Sequence, residues 1–152
     1  MRARGGRWVV AQFVLMAGIL VCAFLPGGWP DGARAPLAVA GAVLAVAGAA
    51  LALWSGRLLG RGFTPYPMPS PEGELVERGP FGSVRHPVYA GGLLFFAGFS
   101  LATSVPGLVL TGVLAVLWAL KARVEERHLC ARYPAYEAYT RRVRWRIAPG
   151  LY

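Results

Sequence analysis

Residues 85–126 read RHPVYAGGLLFFAGFSLATSVPGLVLTGVLAVLWALKARVEE, and this stretch determines the architecture. Two apolar runs, Val88 to Thr103 and Gly107 to Val124, flank a short turn. At a rise of 1.5 Å per helical residue, His86 lies about eighteen residues from the turn and Glu125 about twenty, so their depths differ by roughly 3 Å. The stretch therefore predicts a helical hairpin whose two charged ends meet at one level.

Two further apolar runs precede the hairpin, Trp8 to Leu25 and Ala35 to Trp54. Each of the four runs has roughly 16 to 20 residues, close to the length that spans a bilayer as a helix. With 56% hydrophobic and 15% charged residues, the composition excludes an ordinary soluble domain. We expect an all-α integral membrane bundle of about four transmembrane helices. A signal peptide is the alternative for the first run, but its apolar core is not followed by a good cleavage pattern.

Basic residues predict the orientation of the bundle. With the N-terminus inside, fifteen of the sixteen Lys and Arg residues, Arg2 and Arg4 included, are cytoplasmic, and Arg34 alone lies outside. The positive-inside rule then predicts a multi-pass protein of the cell membrane with both termini cytoplasmic. We interpret the net charge of +9 as a signal of topology and of anionic lipid at the cytoplasmic face, with no nucleic-acid partner. Cys22 lies in the first span and Cys130 on the cytoplasmic side, which disfavours a disulfide.

The chain divides into two predicted parts. Residues 1–54 form an N-terminal pair of transmembrane helices, and residues 55–152 form a core of cytoplasmic loop, hairpin and C-terminal helix. Short connections such as SVPG predict antiparallel neighbours, whereas the long, proline-rich connection 55–86 is of a kind that is functional or disordered. Residues 134–146 alternate aromatic and basic side chains, which suits a cytoplasmic amphipathic helix that lies on lipid or folds back over the bundle.

The level at which the two ends of the hairpin meet suits a charged ligand. Pro87 favours the first turn of a helix, where free amide groups attract an anion. Glu125 and Glu126 point about 100° apart on a helix, so one can face a site while the other pairs with Arg85 or Arg123. This level therefore carries both signs of charge next to apolar helices.

Each feature also has a purely structural interpretation. Arg85 and His86 suit interface anchors, and Gly91 and Gly92 suit close helix packing. The paired glutamates suit a solvated helix end, and the C-terminal tyrosines suit an aromatic belt or a packing face. Only their joint occurrence at one depth favours a binding site.

Two separated blocks occur in order, ELVERGPFGSVRHPVYAGGLL at 74–94 and EERHLCARYPAYEAYTRRVRWRIAP at 125–149. Together they resemble the isoprenylcysteine carboxyl methyltransferase family and its relatives among the phospholipid methyltransferases. The resemblance implies a membrane enzyme that binds S-adenosylmethionine at the cytoplasmic interface and methylates a lipidic acceptor from the membrane, foremost an isoprenylcysteine-type carboxylate. The chain departs from the family pattern at Phe81, where tyrosine is usual, and at Tyr133 and Pro134, where Phe-Gly is common.

The resemblance also implies roles for individual residues. It assigns catalysis to Arg85, as the residue that orients the acceptor, and to Glu126. It implies no metal ligand, and it assigns contacts with the cofactor to His86, Pro87, Tyr89, Gly91, Glu125, Leu129 and Tyr136.

Three alternative functions stay open. A phospholipid or other lipid N- or O-methyltransferase has the same cofactor and a different acceptor. A membrane reductase that uses NADPH needs basic residues around an extra phosphate, and RRVRWR at 141–146 supplies them, although no dinucleotide glycine fingerprint is present. A non-enzymatic membrane scaffold predicts no small-molecule site at all.

Overall fold

A computed structural model describes residues 5–25 and 27–150 of the chain. Arg2 and Arg4, which contribute to the predicted orientation, lie outside the described residues. Short 3₁₀ turns occur at Gly60–Gly62 and Gly79–Gly82. The α-helices among these residues are α1 (Gly6–Cys22), α2 (Asp31–Leu59), α3 (Pro87–Thr103), α4 (Val105–Arg132) and α5 (Tyr136–Arg142).

Helices α3 and α4 form the hairpin that the apolar runs predict. Ser104 separates them, and its Oγ accepts a hydrogen bond from the amide of Gly107 at 3.3 Å, which caps α4. Pro87 occupies the first turn of α3, where its missing N–H costs nothing. Because α4 continues to Arg132, both glutamates of the EE pair lie on the helix and not beyond its end.

Glycines allow α2 and α3 to pack backbone against backbone. A Cβ added at Gly91 would lie 2.5 Å from the backbone nitrogen of Ala52, and one at Gly48 would lie 2.3 Å from that of Phe95. Any larger residue at these positions would push the helices apart. The small residues therefore give α2 and α3 the close approach typical of helix pairs in membranes.

The two N-terminal helices pack mainly on the hairpin. Helix α2 lies along α3 and helix α1 lies along α4, although the short connection between α1 and α2 predicts that they are direct neighbours. A core of Ile19, Phe96, Leu114 and Trp118 joins α1 to both helices of the hairpin. Packing decides which helices meet, and the short connection does not. The contacts come from the matched glycine faces of α2 and α3 and from the apolar core under α1.

The outer faces of the helices are apolar. Val39, Val43 and Val46 on α2 are 67%, 64% and 71% exposed, and α1 and α4 carry similar side chains. By length and composition α2 and α4 suffice to cross a membrane, whereas α1 and α3 are shorter apolar helices of 17 residues each. Such a surface is unfavourable in water and suits the hydrocarbon of a bilayer. Four crossings and the orientation of the termini stay predictions.

The C-terminal segment folds back over the bundle. Tyr136 and Tyr139 are each 2% exposed, so the tyrosines of α5 pack inward and not against lipid. Helix α5 is shorter than the predicted 134–146 because the following residues lie alongside the start of α3. There the amides of Arg85 and His86 donate to carbonyls of the C-terminal segment at 2.9 and 2.8 Å.

Candidate functional site

A pocket lies where the start of α3, the end of α4, helix α5 and the loop between α2 and α3 come together. Its cavity volume is about 100 Å³, within about 810 Å³ of space that extends to the open mouth. A ligand of nucleoside size would therefore occupy both the closed part and the mouth. The apolar wall includes Leu59, Phe63, Val88 and Leu129.

Glu126 forms the centre of a buried ion cluster behind the pocket wall. Its Oε1 lies 3.0 Å from Nε of Arg85 and 3.3 Å from Nε2 of His86. Its Oε2 accepts a hydrogen bond from Nε of Arg146 at 2.9 Å, and Nη2 of the same guanidinium lies 2.8 Å away. A buried carboxylate is tolerable only when it is paired in this way, so the cluster locks the start of α3 and the C-terminal segment to α4.

Glu125, by contrast, faces the pocket. Its Oε2 accepts a hydrogen bond from the hydroxyl of Tyr89 at 2.7 Å and lies 4.0 Å from Nδ1 of His86. The ring of Tyr89 stacks on those of His86 and Trp118, with centroids 5.4 and 5.2 Å apart. The adjacent glutamates thus point in different directions, one into the pocket and one into the ion cluster, as the helical period predicts.

Two buried donors at the pocket lack a hydrogen-bond partner. The hydroxyl of Tyr136 has no acceptor among the described residues, and Nε of Arg85 lies 3.0 Å from Oε1 of Glu126 as an ion pair that does not form a hydrogen bond. Burial is the main cause that raises the pKa of Tyr136 above its usual value, so the hydroxyl stays protonated and able to donate. Unsatisfied buried donors are rare in proteins, and at a pocket wall they indicate room for a ligand acceptor.

The proline-rich loop forms the remaining wall and is held by side chains at the end of α4. Arg132 donates from Nη2 to the carbonyl of Pro71, and Tyr133 donates from its hydroxyl to that of Gly73, each at 2.6 Å. Tyr139 similarly donates to the carbonyl of Phe81 at 2.7 Å. Through these contacts the loop forms an ordered wall of the pocket. From the sequence, the same loop is expected to be either functional or disordered.

The comparison with protein families gives one family model, described as phospholipid methyltransferase, that matches residues 37–135. The chain belongs to this family. The resemblance noted from the two sequence blocks is thereby confirmed. The match covers most of α2, the loop and the hairpin, whereas α1 and the pocket residues of α5 lie outside it.

A curated relative is the cobalt-zinc-cadmium resistance protein CzcN of Cupriavidus metallidurans. It is 38% identical to this chain over 72 residues, which are 45% of this chain and 32% of that protein. The chain therefore spans about a third of the length of the relative that it matches.

In this member of the phospholipid methyltransferase family, the pocket brings together most of the residues that the sequence singles out. Two lie elsewhere. Glu126 sits behind the wall in its ion cluster, and Gly91 faces the backbone of α2. The cofactor contact expected of Gly91 stays a prediction. The pocket-lining residues among the predicted ones are Arg85, His86, Pro87, Tyr89, Glu125, Leu129 and Tyr136.

Several contributors to the site were not identified from the sequence. Arg146 is one of four arginines in the basic tail RRVRWR, and no local pattern distinguishes it as the partner of Glu126. Phe63 and Glu74 reach the pocket from the long loop. Their positions depend on how the loop folds, which hydrophobic periodicity does not report.

Proposed function

We propose that this protein is a membrane methyltransferase that binds S-adenosylmethionine in the pocket and transfers its methyl group to a lipidic acceptor. The supporting observation is a single pocket that combines a carboxylate, Glu125, with two unsatisfied buried donors, Arg85 and Tyr136. Membership of the phospholipid methyltransferase family supports the reaction class.

The residues at the pocket fit the proposed cofactor chemically. S-adenosylmethionine carries a sulfonium, an amino group and a carboxylate, and when bound it supplies an electrophilic methyl group. Glu125 offers a carboxylate to the cationic part, and Tyr136 and Arg85 offer donors to acceptor groups. His86 and Tyr89 present rings at the same wall, which suits an aromatic or apolar portion of the ligand.

Methyl transfer needs alignment and exclusion of water more than covalent help. Glu125 is oriented by the hydroxyl of Tyr89, so its carboxylate is held in place before the ligand binds. Glu126 keeps Arg85 and His86 in position through its ion cluster, and we assign it to positioning instead of direct contact with the cofactor. The buried ring of Tyr139 closes the inner side of the pocket against water.

For the acceptor, we propose an isoprenylcysteine-type carboxylate. Arg85 and Arg146 both pair with the carboxylate of Glu126 behind the pocket wall, and of these two guanidinium groups Arg85 reaches the pocket. Arg85 lines the pocket, and its guanidinium carries donors besides the Nε that pairs with Glu126. A carboxylate is the group that a guanidinium of this kind binds best, and the apolar wall next to it suits a prenyl chain.

We further propose that the pocket opens on the cytoplasmic side of a four-span protein and that the C-terminal segment meets anionic lipid. Arg141, Arg142 and Arg144 are exposed there, and Trp145 is 38% exposed. Exposed arginines next to an amphipathic indole suit the interface of a negatively charged leaflet.

The reductase alternative is less well supported. The arginines of RRVRWR do not line the pocket, and two of them pair with Glu137 and Glu77. Arg85 is the only guanidinium that the structure gives to the pocket wall within the described residues. A phosphate of NADPH would therefore find few cations there.

The test is calorimetric titration of the detergent-purified protein with S-adenosylhomocysteine, with NADPH in a parallel titration. We expect binding of S-adenosylhomocysteine, lost or weakened at least about tenfold in Glu125→Gln because one charged contact is worth more than about 1.4 kcal/mol. Glu137→Gln is the matched control, since Glu137 is exposed and pairs with Arg141 on the same helix.

Binding of NADPH in place of S-adenosylhomocysteine would contradict the proposal and favour a reductase, and binding of neither would favour a scaffold. The acceptor is tested by transfer of a labelled methyl group to farnesylated N-acetylcysteine and to vesicles that contain phosphatidylethanolamine. Methylation of the amine lipid alone would refute the carboxylate acceptor and leave the cofactor proposal intact.

A further inference from the structure

A glutamine is buried on the otherwise apolar face of α1. Gln12 is 6% exposed, and its Oε1 accepts hydrogen bonds from Nζ of Lys121 at 2.6 Å and from Nε1 of Trp118 at 3.3 Å. A buried amide costs free energy unless it is paired, and here one oxygen receives two donors from α4. Helix α1, which lies outside the family match, is thus joined to α4 by a specific polar contact.

Lys121 is buried as well, with 1% exposure. Besides Gln12, its ammonium donates to the carbonyl of Pro65 at 2.7 Å and lies 5.3 Å from the centroid of the Tyr89 ring. Both hydrogen-bond acceptors are neutral, and the cation is also held by the aromatic face of Tyr89 and by electrostatic attraction to the carboxylate of Glu125. Its place beside Tyr89 is fixed by the acceptor that Gln12 provides together with the carbonyl of Pro65.

Trp118 approaches Tyr89 by stacking. The two rings lie 5.2 Å apart at 19° between planes, and the hydroxyl of Tyr89 donates to Glu125 at 2.7 Å. Gln12 therefore holds two residues that both contact the Tyr89 ring, and Tyr89 in turn holds the carboxylate that faces the pocket. None of Gln12, Trp118 and Lys121 lines the pocket itself.

We propose that Gln12, Lys121 and Trp118 are positioning residues that hold Tyr89 and, through it, orient Glu125 toward its ligand. This inference rests on the proposed function insofar as the ligand of Glu125 is the methyl donor. It assigns α1 a part in ligand binding that packing alone does not require, because a leucine in place of Gln12 would suit an apolar helix better. The buried amide of Gln12 thus helps to orient the carboxylate of Glu125, which lies one helix turn beyond Lys121 on α4.

The test is a double-mutant cycle on the full chain in detergent, read as the Kd for S-adenosylhomocysteine. Gln12→Leu is expected to raise the Kd about tenfold, the effect of losing one hydrogen bond to a charged group. Tyr89→Phe raises it as well, and the double variant shows no further rise, because Gln12 acts through Tyr89. Effects that multiply in the double variant would overturn the inference.

Two further variants separate positioning from general stability. Gln12→Glu keeps an acceptor for both donors and is expected to restore the Kd to within about twofold of the unaltered protein. Thr111→Val removes a buried hydrogen bond between α3 and α4, with 3.2 Å between Oγ1 of Thr111 and Oγ of Ser100, at a point distant from the pocket. Thr111→Val should lower the melting temperature without raising the Kd. If Thr111→Val and Gln12→Glu both raise the Kd as much as Gln12→Leu does, a positioning role is refuted. If Gln12→Leu does not fold, Lys121→Met supplies the same cycle.

A second readout does not depend on the cofactor. The rate at which a carbodiimide labels Glu125, followed by peptide mass spectrometry, reports how firmly its carboxylate is held. We expect faster labelling in Tyr89→Phe and in Gln12→Leu, again without a further increase in the double variant. Coupled labelling without binding of S-adenosylhomocysteine would uphold the positioning and refute the proposed function. Binding with uncoupled labelling would do the reverse.

Discussion

The same substitution at the two adjacent glutamates should lower stability by very different amounts. Glu126→Gln removes the charge shared by Arg85, Arg146 and His86, all of which contact it within 3.3 Å. Breaking a buried ion pair from one side costs about 3–5 kcal/mol, because the remaining charges stay buried without compensation. Glu125→Gln loses only part of one hydrogen bond from a neutral hydroxyl, which is worth about 1 kcal/mol.

Thermal unfolding in detergent measures this difference. One kcal/mol shifts the melting temperature of a chain of this size by roughly 2–4 °C, so Glu126→Gln should lower it by about 6–20 °C and Glu125→Gln by about 4 °C at most. For each degree by which the melting temperature falls, Glu125→Gln should weaken binding of S-adenosylhomocysteine more than Glu126→Gln does. Equal melting temperatures for the two variants would refute the division of roles that the ion cluster implies.

Three further predictions concern single groups. Tyr136→Phe should leave the melting temperature unchanged and weaken binding of S-adenosylhomocysteine, because its hydroxyl has no partner among the residues that the structure describes. Tyr139→Phe should cost about 1–1.5 kcal/mol in a denaturation curve. Gly91→Ala should lower the melting temperature by roughly 4–8 °C, since a Cβ there meets the α2 backbone and overpacking costs about 2 kcal/mol; Gly112→Ala, with nothing within 4 Å, should not. Tyr133→Phe removes one of the contacts that hold the loop at the end of α4 and should speed trypsin cleavage within residues 60–78 several-fold, and an unchanged rate would contradict that anchor.

Much of the site could be anticipated because the relevant distances are local along helices. The rise per residue aligns the two ends of the hairpin, and the helical period separates the directions of Glu125 and Glu126. Gly91 shows where this reasoning stops. A small residue near a helix start suits both a ligand and a neighbouring helix, and only the position of α2 shows that it serves helix packing.

Contacts between distant segments were beyond the sequence. Nothing near Arg146 marks it as the partner of Glu126, and nothing in α1 marks Gln12 as the acceptor for Lys121. The fold of the C-terminal segment was left open between lipid and bundle, and the buried tyrosines of α5 decide for the bundle. The roles assigned to the pocket residues stay predictions until ligand binding is measured.

The sequence by itself therefore determined the helical class, the apolar surface and the level at which charges meet, because these follow from hydropathy and from regular helix geometry. The tertiary structure alone decided which helices touch, which glutamate is paired and which donors are left unsatisfied. Those outcomes depend on side chains that are far apart along the chain, and their pairing is selected by the cost of burying each charge or amide without a partner.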